Sequence, residues 1–233
     1  LFRDPYVRAS LKNTVVFTVI TVPLQTAGSL VLAAVIAELF HNKFGNFVKS
    51  SLFVPVIASA ILVGTLWFTL LSPRGVVNSI IHAFGLPSVN WLGGKLTSML
   101  SVCIVSVWKN VGYFLVIYFA GIMDIPRSLY EAAEVDGANA FQRFFKITLP
   151  GLSSVTFLVV TLGTIWSFQV FDLVYTMTGG GPGTSTVTLV LTTYNAAFKE
   201  YNMGYASAVA MLMFVFVLAV SGLQKLLLKG GED

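Results

Sequence analysis

Five apolar runs organise the chain, over residues 13–40, 51–71, 97–123, 151–175 and 203–227. Each is rich in Val, Leu, Ile, Phe and Ala, and none is interrupted by a run of charge. A helix needs roughly 20 apolar residues to cross a bilayer, so each run is long enough. Buried strands typically last about 4–8 residues, and a membrane barrel alternates in segments of about ten. Neither pattern fits. The length and continuous apolarity of the runs predict an all-α, polytopic transmembrane helix bundle with five spans. Pro55 is expected in the first turn of the second span and Pro150 immediately before the fourth, while Pro23 inside the first is a candidate kink.

The connections read as "HNKFGNFVKS", "SPRGVVNSIIHAFGLPSVNWLGGK" and a glycine-rich stretch over residues 174–202, in which "VTLVL" could dip back into the membrane. Composition agrees: the chain is 56% hydrophobic and 10% charged, with mean hydropathy +0.83, against about 45–50% and about 25% for a soluble domain. A net charge of +4 is small, so Lys and Arg serve here as topology signals and no nucleic-acid partner is implied. Residues Lys43, Lys49, Arg127, Arg143, Lys146, Lys225 and Lys229 flank one side of the spans. Arg74, Lys95 and Lys199 flank the other, once Arg3, Arg8 and Lys12 are set apart on a surface-lying helix. That asymmetry places the Glu131 region and the C-terminus in the cytoplasm. Five spans would then leave the N-terminus outside, which points to a further N-terminal span.

Several chemistries find no support. Cys103 is the only cysteine, so no disulfide forms within the chain and a buried, inert thiol is expected. His41 and His82 stand alone in loops, and no paired-carboxylate or Cys/His constellation suits catalysis or metal binding. No GxxxxGK[ST] phosphate loop is present; "GGKLT" from Gly93 lacks the first glycine and the hydroxyl residue after the lysine. An enzyme embedded in the membrane and a self-sufficient secondary transporter are the readings from other classes. Neither has a motif to carry it.

The polar exception is residues 124–150, which hold seven of the charged residues: Asp124, Arg127, Glu131, Glu134, Asp136, Arg143 and Lys146. The stretch "IPRSLYEAAEVDGANAFQRFFKITLPG" predicts two short helices around Gly137. Ser128 is the expected N-cap, with Glu131 as its capping-box partner, and Ala132 and Ala133 are strong helix formers with small side chains. Gly137 supplies either a left-handed turn or a contact without a side chain. Phe141, Phe144, Phe145 and Ile147 form an apolar face beside Arg143 and Lys146.

The spacing EAA, three residues, G137, nine residues, I-T-L-P resembles the EAA signature of the membrane-spanning subunits of binding-protein-dependent ABC importers. "TGGGPGTST", "LVLTTYNAAFKEYNMGYASAVAMLM" and "SVWKNVGYFLVIYFAGIMDIPRSLYEAA" are similar to the carbohydrate-uptake branch of that family, close to the maltose and glycerol-phosphate permeases. The resemblance implies the type I importer permease fold as a single domain over residues 1–233, with six or more spans in the full protein. It implies that residues 124–150 form a cytoplasmic coupling segment, with Glu131, Ala132, Ala133, Asp136, Gly137, Ile147, Leu149 and Pro150 meeting an ATPase. It further implies a second, homologous permease, two ATP-binding subunits that hold ATP and Mg, an extracytoplasmic substrate-binding protein that meets the glycine-rich loop, and the inner membrane of a bacterial or archaeal cell. No cofactor is expected on this chain.

Polar residues inside spans are costly and point to function. Trp108, Lys109, Asn110, Tyr113 and Phe114 fall in the third run, and Trp166, Ser167, Gln169 and Asp172 in the fourth. Aromatic faces with amides and a carboxylate suit a sugar or oligosaccharide; an anionic substrate such as glycerol phosphate would call for arginine, and none lies in the five runs. Trp108, Asn110, Tyr113, Phe114, Trp166, Ser167, Gln169 and Asp172 are the candidate pathway residues. The plainer alternatives are aromatic packing, Asn110 and Gln169 holding helices together, and an ion pair between Lys109 and Asp172.

Overall fold

The structure is a computed structural model that describes residues 1, 3–39 and 43–229. Among the described residues every regular element is a helix. In order they are α1 (Pro5–Leu39), α2 (Lys43–Ile57), α3 (Ala60–Leu70), α4 (Val76–Ala83), α5 (Lys95–Met123), α6 (Arg127–Val135), α7 (Ala140–Arg143), α8 (Leu149–Gly151), α9 (Ser153–Phe168), α10 (Asp172–Met177), α11 (Leu189–Tyr194) and α12 (Met203–Lys229). π-helical turns follow α7 (Phe144–Thr148) and α11 (Asn195–Lys199).

Among the described residues, three helices are long and apolar enough to cross a membrane, within α1, α5 and α12. The count reaches five if α2 with α3, and residues 140–151 with α9, are each taken as one broken span. The second expected span is therefore interrupted, at residues 58–59, and Pro55 sits near the end of α2 rather than in a first turn. The fourth also breaks: α9 ends at Phe168, and α10 begins only at Asp172. The first starts earlier than its apolar run. Arg8 and Lys12 lie on α1 itself, not on a separate surface helix, so the charge count no longer favours one orientation. His41 lies outside the described residues, and His82 is exposed on α4 rather than in a loop.

The chain divides into two compact units. The first comprises Leu1–Val22, Ala58–Val107 and Thr164–Val220. Its core gathers Phe17, Val63, Val102, Leu173, Met177 and Leu191, with Cys103 fully buried among them, as expected of an inert thiol. Within this unit α1 also buries hydroxyls at roughly four-residue spacing: Ser10, Thr14, Thr18 and Thr21. Thr14, Thr18 and Thr21 donate to the carbonyl four residues back, which leaves oxygen lone pairs free to accept. Thr14 Oγ1 accepts from the Leu189 amide at 3.1 Å, and Thr18 Oγ1 from Ser167 at 2.9 Å. Asn13 Nδ2 donates to the carbonyls of Thr184 (2.7 Å) and Val187 (3.0 Å). The glycine-rich loop is thereby tied down, and Thr178 and Thr186 close it internally, hydroxyl to hydroxyl at 2.7 Å. In the 72–95 connection the buried Asn78 donates to the Val89 carbonyl and accepts from the Val89 amide and Trp91 Nε1.

The second unit comprises Pro23–Ile57, Trp108–Gly163 and Ser221–Asp233. Leu30, Ala33 and Ile36 of α1 meet Phe114, Leu115, Tyr118 and Ile122 of α5, together with Leu152 and Val159. Small residues let backbones approach, as membrane helices do where apolar lipid gives helices little hydrophobic reason to associate. At Gly112 of α5 an added Cβ would collide with the Leu52 carbonyl of α2; at Gly121 it would press Leu152 and Val155 at 2.8 Å.

Gly112→Ala is expected to destabilise the protein by about 1–3 kcal/mol, because the obstacle is backbone that no rotamer change relieves. Gly28→Ala is the control, since its Cβ meets only Val111 Cγ2 at an ordinary 3.7 Å. Thermal unfolding of the two variants in detergent checks this: only Gly112→Ala should melt measurably earlier, and equal melting temperatures would refute it.

Candidate functional site

Helix α5 ends at Met123, and Pro126, with its fixed φ, starts α6 as N-cap without a side-chain cap bond. Ser128, the expected N-cap, lies in the first helical turn, so the anticipated capping box with Glu131 is not formed. Glu131 instead pairs with Arg127, one turn earlier, at 3.6 Å; both side chains are largely exposed. Such a pair contributes roughly 0.3–0.5 kcal/mol. Helix α6 buries none of its residues. Glu131, Ala132 and Leu129 are exposed, Val135 is 89% exposed, and Ala133 is half-buried. On the inner side, Tyr130 Oη and Thr148 Oγ1 share a hydrogen bond of 2.9 Å.

Gly137 decides how α6 ends. Its φ of +75° is the left-handed conformation that glycine adopts without penalty. The Gly137 amide donates to the Glu134 carbonyl at 3.0 Å and the Ala138 amide to Ala133 at 2.8 Å, the paired bonds of a Schellman close. Asp136 is the exposed C-cap. A Cβ on Gly137 would meet nothing within 4 Å, so of the two roles open to it the turn is the one realised within this chain.

The capping box lies one helix later. Asn139 Oδ1 accepts from the Gln142 amide, and Gln142 Oε1 from the Asn139 amide, both at 2.9 Å. The N-x-x-Q spacing carries that signal in the sequence. Through the π turn the aromatic face divides. Phe141 and Phe145 face outward and meet with ring centroids 4.5 Å apart and planes tilted by 48°, whereas Phe144 packs on the core of the second unit. The chain then bends by 70° into α9. Ile147 and Pro150 line a cavity of about 490 Å³ with Gly121, Asp124, Leu129 and Lys146, and Leu149 is 36% exposed.

Arg143 joins these pieces. One guanidinium nitrogen donates to Glu134 Oε1 and another to Glu38 Oε1, each at 2.5 Å. Hydrogen bonding to Glu38 pushes the guanidinium still further above its ordinary value, helped by the charge of Glu134, so it stays cationic.

The pathway candidates fall in separate units. In the second unit Trp108 is 42% exposed, and Asn110 and Tyr113 are half-buried on α5. Phe114 has no exposed surface; it belongs to the core, edge-to-face with Tyr113 at 5.4 Å. Lys109 Nζ donates to the Val56 carbonyl at 3.3 Å. In the first unit Trp166 is 38% exposed and Gln169 is exposed at the break after α9. Asp172 is exposed at the start of α10. Ser167 is buried, and its hydroxyl bonds to Thr18 and the Thr164 carbonyl. A ring cluster not among the sequence expectations gathers Phe171, Tyr175, Tyr194 and Phe198, with centroids 4.9–5.5 Å apart. Its signal was the i, i+4 spacing of aromatics at 171/175 and 194/198.

The profile of the family described as "Binding-protein-dependent transport system inner membrane component" matches residues 13–230. The sulfoquinovosyl glycerol transport system permease protein SmoG of Agrobacterium fabrum is 36% identical over 225 residues, covering 95% of this chain and 71% of that protein. The trehalose/maltose transport system permease protein MalF of Thermococcus litoralis is 35% identical over 210 residues, covering 88% and 69%. A chain in the crystal structure of a bacterial ABC transporter involved in the import of the acidic polysaccharide alginate superposes with a TM-score of 0.91, at 24% identity, over 100% of this chain and 82% of that one. That likeness shows the fold.

Asn139→Ala should cost the segment about 0.5–2 kcal/mol by removing the cap bond that its side chain accepts from the Gln142 amide, whereas Ser128→Ala, which removes no cap bond, should cost less. Hydrogen exchange over residues 140–148 reads the difference. Faster exchange only in Asn139→Ala is expected; equal protection in both variants would place the cap elsewhere.

Proposed function

The chain belongs to the family of binding-protein-dependent transport system inner membrane components, and we propose that it forms half of the translocation pathway of an ATP-driven importer for a sugar or oligosaccharide. The observation that carries the coupling role is α6, a helix bearing the EAA residues that buries none of them against its own chain. It is shaped by Pro126 and the Gly137 turn and leaves Leu129, Ala132 and Val135 open to a partner. ATP and Mg would be held on two ATP-binding subunits, with no ATPase site on this chain. A second, homologous permease would complete the pathway, and an extracytoplasmic binding protein would deliver substrate to the glycine-rich side. We place residues 124–150 in the cytoplasm of a bacterial or archaeal cell, where closure of the ATPases pulls on the segment and re-orients the spans.

For the substrate, Trp108, Asn110, Tyr113, Trp166, Gln169 and Asp172 offer aromatic faces, amides and a carboxylate. Aromatic rings stack on sugar C–H surfaces while the polar groups meet hydroxyls. The relatives named for trehalose/maltose and sulfoquinovosyl glycerol transport support the same class. A glycerol phosphate or similar polyol derivative is the alternative, and it finds no cation among these six residues to hold a phosphate.

Purification through a tag on this chain should bring down a second permease and an ATPase, with ATP turnover stimulated by one carbohydrate only when the binding protein is present. Stimulation by glycerol phosphate alone would select the alternative. Trp166→Ala and Gln169→Ala should lower uptake several-fold with the ATPase still bound. At the joint, Gly137→Ala forces a left-handed residue at about 1–2 kcal/mol, while Gly137→Asn keeps the turn and adds bulk. Loss of ATPase binding in Gly137→Asn and Glu131→Lys alike would confirm a docking surface. Wild-type transport in both would refute it.

A further inference from the structure

Helices α6 and α7 bury no residue of their own, so specific polar ties, rather than a shared core, set where α6 stands. One is Tyr130 to Thr148. The other is Arg143, whose guanidinium holds Glu134 of α6 with one nitrogen and Glu38 with another. Glu38 is the penultimate residue of α1, which runs unbroken for 35 residues, about 50 Å at 1.5 Å per residue. The three side chains therefore join three elements: residue 143 to residue 134, nine residues away across the Gly137 turn, and to residue 38 of α1, 105 residues away. Arg143 itself is 19% exposed, with the carboxylates at 44% and 61%. Half-exposed ion pairs add little to stability. A planar fork that meets two carboxylates nonetheless fixes geometry in a way that a single lysine ammonium does not.

Resting on the coupling role proposed for this segment, we propose that Arg143 is a positioning residue that locks α6 to the C-terminal end of α1, so that displacement of the segment is delivered to α1 through one guanidinium. The segment and the end of α1 then move as one body. Neutralising either carboxylate frees one arm: Glu38→Gln releases α1, and Glu134→Gln releases α6.

The test uses the complex that co-purifies with this chain, in nanodiscs, with spin labels on cysteines introduced at Val35 of α1 and Ser128 of α6. Both sites are exposed, and the native Cys103 is fully buried. Electron-spin distances are measured without nucleotide and after trapping with ATP and vanadate. The expected result is a single narrow distribution that trapping does not shift. In Arg143→Gln and Glu38→Gln it should broaden and shift on trapping, with the ATPase still bound. Arg143→Lys should fall between. A distance that already shifts in the unsubstituted chain, or one that stays narrow and fixed in Arg143→Gln and Glu38→Gln, overturns the proposal while leaving the coupling role intact. Failure of any ATPase to co-purify with the unsubstituted chain would instead overturn the coupling role and this inference with it.

Discussion

Backbone satisfaction is the constraint on which the rest of this structure depends. Hydrocarbon offers no water to an unpaired amide or carbonyl, so every break in a membrane helix must be closed by the protein itself. The break after α9 frees the Val170 carbonyl, and Thr188 Oγ1 donates to it at 3.1 Å. The start of α11 frees the Leu189 amide, which α1 accepts through Thr14. The same helix receives Ser167 on Thr18 and fixes the glycine-rich loop through Asn13. Hydroxyls that look like interruptions in an apolar run are the groups that allow the other helices of this unit to be broken.

The apolar runs announced α1, α5 and α12 because length and continuous hydrophobicity are local properties. Breaks are not. Nothing in the run over residues 51–71 marks residues 58–59 as an interruption, since Ala and Ser are tolerated in helices and the decision rests on packing elsewhere. The 151–175 run hid its break for the same reason: the donor that satisfies Val170 lies eighteen residues away. Phe114 and Trp108 are both aromatic residues on one helix, and only tertiary packing buries the first and exposes the second.

The polar stretch over residues 124–150 was more legible, because turn chemistry is written locally. Gly137 required either a left-handed turn or a close approach, and the structure realises the first. Ser128 and Glu131 have the spacing of a capping box, but Pro126 fixes the helix start two residues earlier, and the Asn139–Gln142 pair uses the same chemistry where a free helix start exists. Arg143 was visible only as a charge beside an apolar face. Its partners come from α1 and α6, and no local pattern announces that.

The bare surface of α6 has a thermodynamic consequence. A helix that contributes nothing to its own chain's core draws its order from short-range ties and from whatever covers it. A partner that binds the folded segment and not the frayed one stabilises it in proportion to the logarithm of its free concentration over its dissociation constant. In the proposed complex the order of residues 127–143 would therefore gauge occupancy: the segment would tighten as a partner arrived and loosen as it left, with no change required in either apolar core.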